Sequence, residues 1–325
     1  MLRKHEISFK NTTNLLFYIL RKTGIFWALL LLIIFLSFIK PEFMTMSNIL
    51  NIAKQASITS ILGIGMTLVL LSGGIDLSVG SVVALSSVVA AYVGITFPDS
   101  SLLLCFGAAI LVGLICGMIN GVGIAWVGFP PFIMTLGMMG MARGAAQVFT
   151  GGVPLFGVSR EFAKVAGGVS FGIPNLVYYM AVIFAISYLV LRKTIYGRRI
   201  YAIGGNLEAA KLSGVNVKAH ILSVYMICGA LAGFCGMLMA SRITSGNATA
   251  ATTYEMDAIA AAVIGGVSMT GGIGSVVGTI VGAFLLITIQ NGFDILGISP
   301  FYKTIVQGAI IVLAVFIDIK SKSKE

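Results

Sequence analysis

Apolar residues neither alternate along this chain nor keep to one face of a helical period. They fill long runs, broken by glycine, proline and small groups of charge. Residues 23–39, 55–75, 77–98, 100–142 and 174–191 each contain no Lys, Arg, Asp or Glu. A helix that crosses lipid needs about 20 mostly apolar residues, and breaks in hydropathy divide the chain into ten such segments. They run roughly over 24–39, 56–71, 79–95, 102–122, 132–148, 176–191, 221–240, 258–267, 275–290 and 304–317. The eighth is too short to cross as a regular helix, so its glycine-rich continuation must be re-entrant, unwound or packed inside the bundle. The pattern predicts an all-α polytopic membrane protein with about ten transmembrane helices, some interrupted.

Composition sharpens this reading. Of the 325 residues, 58% are hydrophobic and 10% charged, against about 25% charged in ordinary soluble domains. A water-soluble fold could not hide that much apolar surface. The net charge of +10 points to sidedness and lipid headgroups rather than to nucleic acid. With the N-terminus inside, the inner segments hold Arg3, Lys4, Lys10, Arg21 and Lys22, then Arg192, Lys193, Arg198, Arg199, Lys211 and Lys218, then Lys320, Lys322 and Lys324, fourteen of the 21 basic residues. An even number of spans with both termini cytoplasmic satisfies the positive-inside rule. The expected organisation is a cytoplasmic tail over 1–23, one transmembrane domain over 24–319 containing a basic inner segment at 192–220, and a second tail over 320–325. The first apolar segment follows a basic tail and lacks a small-residue cleavage pattern, so it reads as a span and not as a removed signal. Cys105, Cys116, Cys228 and Cys235 all lie in apolar runs without metal-ligand spacing, and predict buried thiols.

Asp76 is the sharpest internal charge, in the stretch LSGGIDLSVGSVVAL at 71–85. A carboxylate at the bilayer centre costs about 2.5–3.5 kcal/mol on insertion scales. Gly73 and Gly74 can break the helix, and Asp76 or Ser78 can then cap the helix that restarts at the inner margin or in a water-reachable gap. Contact with a solute or a gating partner, and proton coupling, are the alternatives. Ser72–Gly–Gly–Ile75 followed by Gly80–Ser–Val–Val83 recurs as Thr270–Gly–Gly–Ile273 and Gly274–Ser–Val–Val277, a possible internal repeat. Gly73, Gly74, Asp76, Ser78, Gly80, Gly271 and Gly272 are therefore the candidates for helix breaks or a translocation path. Gly113, Gly117 and Gly121, and likewise Gly274, Gly278 and Gly282, form i, i+4, i+8 ridges suited to close helix packing. Glu255 and Asp257 precede the eighth span and suit an N-terminal turn on the outer side. Arg143, inside the fifth apolar segment, needs either an acceptor or a route for its guanidinium to the interface; snorkelling is the simpler expectation. No metalloprotease, serine-hydrolase or phosphate-loop motif occurs, so neither enzyme chemistry nor nucleotide binding by this chain is indicated.

The inner segment RKTIYGRRIYAIGGNLEAAKLSGVNVKAH, 192–220, combines basic residues with a short helix-like run after Gly204–Gly205. A helix of seven to ten residues is marginal alone, so it needs a surface to dock on. Headgroups explain its charge but not Ala209, Ala210 and Leu212, which suit a groove. Together GMTLVLLSGGIDLSVGSVVAL, TIYGRRIYAIGGNLEAAKLSGVNV and YEMDAIAAAVIGGVSMTGGIGSVVGTIVGA closely resemble the permease subunits of bacterial ATP-driven sugar importers of the ribose/arabinose/galactose/xylose class, over about residues 41–319. The resemblance implies a homodimer of ten-helix subunits in the cytoplasmic membrane, fed by an extracytoplasmic sugar-binding protein. It also implies a separate cytoplasmic ATPase that uses ATP and Mg, with no cofactor bound by this chain. Within the matching inner motif it implies that Arg198, Arg199, Gly204, Gly205, Asn206, Glu208, Ala209 and Ala210 couple to the ATPase. The turn 272–275 departs from the ribose-type pattern, with Ile273 and Ser275 where basic residues often stand.

Overall fold

The computed structural model describes residues 24–97 and 101–322. The basic tail 1–23 and Lys324, both expected on the inner side, lie outside the described residues. Among those described there are thirteen helices: α1 Gly24–Ile39, α2 Met46–Leu71, α3 Val79–Thr96, α4 Leu102–Val122, α5 Pro131–Thr150, α6 Arg160–Gly167, α7 Asn175–Lys193, α8 Ile195–Gly205, α9 Leu207–Leu212, α10 Val217–Ile243, α11 Tyr254–Ile264, α12 Val276–Ile295 and α13 Pro300–Lys322. Two strand pairs, Leu155–Phe156 with Ser245–Gly246 and Val169–Ser170 with Ile173–Pro174, tie loops at one end of the bundle. Six helices, namely α2, α3, α4 with its π-helical extension to Val127, α7, α10 and α12, are long and apolar enough to cross a membrane.

Every residue of α2 from Ala56 to Leu71 is buried. A helix enclosed on all sides has no polar face to select, which is why its sequence shows no amphipathic period. Against this axis lies α10, and α4 packs antiparallel to α10 through the predicted glycine ridge. A Cβ on Gly113 would lie 2.8 Å from Gly233 N, and one on Gly121 would lie 2.9 Å from Leu222 Cα. Gly117 faces the Tyr225 carbonyl in the same way. With no hydrophobic drive between helices in lipid, contact of this closeness is a main source of cohesion. The second ridge is only partly as expected. Gly278 and Gly282 abut the backbone at Gly265 and Ala261, whereas Gly274, at φ 143°, stands in the loop before α12 and not on its face. The four cysteines are buried, with no disulfide between them.

Helix ends explain several boundaries. Thr45, Ser101, Thr194, Asn206, Asn216 and Ser275 each accept a backbone N–H in the first turn of the helix they precede, the standard solution for unpaired donors. Two elements differ from expectation. The N-terminus of α2 is at Met46, ten residues before the predicted start at 56, because Ser47, Asn48, Asn51 and Lys54 lower its hydropathy without breaking the helix. And the basic inner segment, read as a loop with one short helix, opens with a full three-turn helix, α8.

Candidate functional site

Three glycine-rich segments converge at the end of the bundle that carries α8 and α9, here termed the basic end. Helix α2 stops at Leu71, and Gly73, at φ 82°, turns the chain back. Leu71 O accepts from Gly272 N at 3.0 Å, so the two halves of the sequence echo lie against each other. Gly204 of α8 is wedged between them. A Cβ there would overlap Leu71 O and sit 2.5 Å from Gly272 N, and one on Gly271 would lie 2.8 Å from Gly204 Cα. Only glycine permits backbones to meet this closely. Tyr201 locks the junction by donating to Gly274 O at 2.9 Å. Burial pushes the Tyr201 phenol above its ordinary range, which keeps it a donor. By contrast, a Cβ on Gly205 would meet nothing within 4 Å.

On the far side of this junction α8 and α9 expose Arg198, Arg199, Asn206, Leu207, Glu208, Ala209 and Leu212. Asn206 accepts from Ala209 N at 2.9 Å and so starts α9. Ala210 does not belong to this exposed surface. It is 4% exposed and packs with Ile203 and Val217, so it anchors α9 onto α8 and α10 instead of entering a partner's groove. A six-residue helix gives periodicity too little length to tell Ala209 from Ala210.

Beyond Gly74 the chain climbs back into the bundle. Ile75 O accepts from Tyr225 Oη at 3.2 Å, and Tyr225, ninth residue of α10, lies about 12 Å from that helix's start at 1.5 Å per residue. Asp76 is 1% exposed, so it occupies a sealed interior position and not the inner margin or water-reachable gap anticipated for it. Its Oδ1 accepts from Ser78 N at 2.8 Å and Ser78 Oγ at 2.6 Å, and Asn120 Nδ2 donates to Ser78 Oγ at 3.0 Å. Asp76 thus closes a local turn onto Ser78, the residue that precedes α3; neither it nor Ser78 bonds a backbone donor in the first turn of α3, and Ser78 serves as the link to Asn120. Asn120 was missed, although it is the one carboxamide in the uncharged run 100–142.

From the opposite end a second segment enters. Helix α11 has only eleven residues, and Glu255 at its start touches the position a Gly80 Cβ would occupy, with Ala251 O 2.7 Å from that position. Gly80 is the second residue of α3 and lies one turn before Val83, which meets α10 at Gly236. Glu255 and Asp257 stand in the first turn of α11 as expected, with Asp257 buried and Glu255 half-buried. Asp257 accepts from Gln290 at 3.1 Å and Gln307 at 2.7 Å, joining α11 to α12 and α13. Arg143 does not snorkel. It donates to Ala248 O at 2.7 Å and Ala250 O at 2.8 Å, pinning the carbonyls that enter the bundle. Those acceptors are more than a hundred residues away and left no local signal. Among the described residues the ion pairs are Glu208–Lys211 and Asp294–Lys303, so Asp76 has no cationic partner, and no three His, Cys, Asp or Glu side chains group as metal ligands.

Two interrupted elements thus enter from opposite ends and meet at Gly80, while the basic end presents a helical pair wedged into both echo segments. Comparison with known proteins places the sequence. The family described as branched-chain amino acid transport system / permease component matches residues 48–315. The ribose import permease protein RbsC of Escherichia coli strain K12 is 43% identical over 300 residues, 91% of this chain and 92% of that protein. RbsC of Bacillus subtilis strain 168 is 40% identical over 307 residues, 94% and 95% of the two chains. The galactose/methyl galactoside import permease protein MglC of Escherichia coli strain K12 is 36% identical over 316 residues, 92% and 94%. No solved structure matches the chain. The chain belongs to this permease family, as the membrane-embedded transport subunit of an ATP-driven importer and neither an enzyme nor an ion-coupled carrier.

Proposed function

We propose that the chain moves a monosaccharide, ribose or a related pentose or hexose, across the bacterial cytoplasmic membrane, working as a pair of identical subunits. Each subunit crosses ten times, through the six long apolar helices together with α1, α5, α13 and the α11 segment. Both termini and the basic end face the cytoplasm, as the distribution of lysine and arginine favours. A cytoplasmic ATPase that uses ATP and Mg docks on Arg198, Arg199, Asn206, Glu208 and Ala209 of α8 and α9, with Ala210 supporting that surface from beneath. An extracytoplasmic binding protein delivers the sugar, and lipid covers the exposed apolar faces. The ribose and galactose permeases among the relatives support the substrate class. Exposed Gly137 and Gly140 on α5, with open space around them, support close approach of a second copy.

The carrying observation is the Gly204 wedge. A push on α8 from below cannot be absorbed by flexible side chains there, because backbone meets backbone at Leu71 and Gly272. The push is therefore delivered to both interrupted elements, which is what alternating access requires of a coupling element. The test is sugar uptake by liposomes holding this chain with its ATPase and binding protein. Replacing Glu208→Arg together with Arg198→Glu abolishes uptake while membrane insertion persists; wild-type uptake by that double variant discards the coupling assignment. Exposed residues carry this test because the Glu208–Lys211 pair, both members largely exposed, contributes little to stability.

A further inference from the structure

Helix α2 carries a polar stripe at the end remote from Gly204. Ser47, Asn51 and Lys54 lie at i, i+4 and i+7, on one face. They line an open surface recess of about 400 Å³ whose walls also include Glu42, Asn48 and Ile295, with Glu42, Ser47 and Asn51 exposed. Sites for small molecules occupy about 300–1,000 Å³. Asn48 is fully committed: it exchanges hydrogen bonds with Asn291 at 3.0 and 2.8 Å and donates to Phe43 O at 2.9 Å, so it is a rigid wall. Asp294 next door is taken by Lys303. Among the described residues no hydrogen bond or ion pair uses the side chains of Glu42, Asn51 or Lys54. A carboxylate, a carboxamide and an ammonium thus face one recess with their bonding capacity unspent. Lys54 is not merely at the frayed end of the helix, since Ile52 and Ala56 on either side of it are buried at 8% and 0%.

We propose that this recess is a binding station for a monosaccharide, in which Glu42 accepts from sugar hydroxyls while Asn51 and Lys54 donate to them. This rests on the sugar-import reading above. The mixed set suits a neutral polyol, which offers donors and acceptors together. A phosphate headgroup would meet Glu42 as a like charge. Its position, at the far end of the same helix that Gly204 touches, puts the station where a solute released outside first meets the permease, and the helix wedged by α8 would carry half of its walls.

The experiment uses the complete transporter in liposomes, with D-ribose and D-galactose as probes. Asn51→Leu with Lys54→Met removes both donors to the sugar, so uptake falls about tenfold while ATP hydrolysis stimulated by the binding protein stays within about twofold. Asn51→Gln with Lys54→Arg recovers part of the uptake. Independently, Asn51→Cys reacts with a charged methanethiosulfonate, and millimolar sugar slows that reaction. Unchanged uptake by the first variant, or labelling indifferent to sugar, overturns the proposal. So does a defect that appears only in anionic lipid, which assigns the recess to a headgroup. Failure of the underlying reading looks different: the wild-type complex would hydrolyse ATP with its binding protein and import neither sugar.

Discussion

Gly204→Ala is the most discriminating single change. One added methyl would overlap Leu71 O and sit 2.5 Å from Gly272 N, whereas carbon to polar backbone contacts settle at about 3.3–3.6 Å. The end of α8 must therefore withdraw by on the order of 1 Å. Neither obstacle is a side chain that can rotate away. At that displacement the Tyr201–Gly274 hydrogen bond, 2.9 Å long, passes beyond bonding range, a loss of about 1 kcal/mol, and overpacking adds about 1–3 kcal/mol. Helix propensity acts the other way, favouring alanine by about 1 kcal/mol, so the substitution strains the junction without unfolding α8. The assay is the number of sugar molecules imported per ATP hydrolysed in liposomes. Gly204→Ala lowers this ratio at least fivefold with ATP hydrolysis continuing. Gly205→Ala, one residue on and with no atom within 4 Å of its Cβ, leaves the ratio unchanged. If the two variants couple equally well, force does not pass through backbone contact at Gly204, and the reasoning is refuted.

Asp76→Asn keeps an acceptor for Ser78 N and offers a donor to Asn120 Oδ1, which lacks one; uptake and detergent melting temperature stay close to wild type. Asp76→Ala leaves the Ser78 N–H buried without that partner and costs about 1–3 kcal/mol, read as a fall in melting temperature. Arg143→Leu strips both loop carbonyls of their donor and costs about 2–5 kcal/mol, with faster proteolysis within 247–253 as the local readout. Gly113→Ala drives a methyl into the backbone of α10 and lowers thermal stability by about 3 kcal/mol or more. Gly137→Leu on open α5 spares the subunit's fold but weakens its pairing, measured by cross-linking in membranes.

What the sequence disclosed and what it withheld divide by the range of the interaction. The ridge Gly113–Gly117–Gly121 was legible because a stripe of small residues on one helix has one physical use in lipid, and α4 against α10 realises it. The brevity of α11 was legible from length alone. Its depth was not: the stretch 247–253 contains Asn, three Thr and no strong apolar run, which reads as an outside loop. It enters the bundle because Arg143 satisfies the carbonyls of Ala248 and Ala250, and no window of neighbouring residues contains that fact. Asp76 failed in the opposite direction. The cap expected from it on the restarting helix is replaced by a local turn onto Ser78, and its sealing from water depends on α4 and α10 closing over it.

The same division explains why polar groups are concentrated at the two interruptions. A helix that stops inside lipid leaves backbone donors and acceptors unpaired, each costing several kcal/mol. At residues 72–78 the deficit is met by Asp76, Ser78, Asn120 and Tyr225; at 247–253 it is met by Arg143. These side chains are therefore the condition for broken helices to exist at that depth, and no solute need be invoked to account for them. Movement is then cheapest where the breaks meet without such bonds, at the bare contact of Gly80 with Ala251 and Glu255. Separating the elements there breaks van der Waals contact but no hydrogen bond of the two networks, so under the coupling proposed for Gly204 this contact is where the bundle is expected to yield.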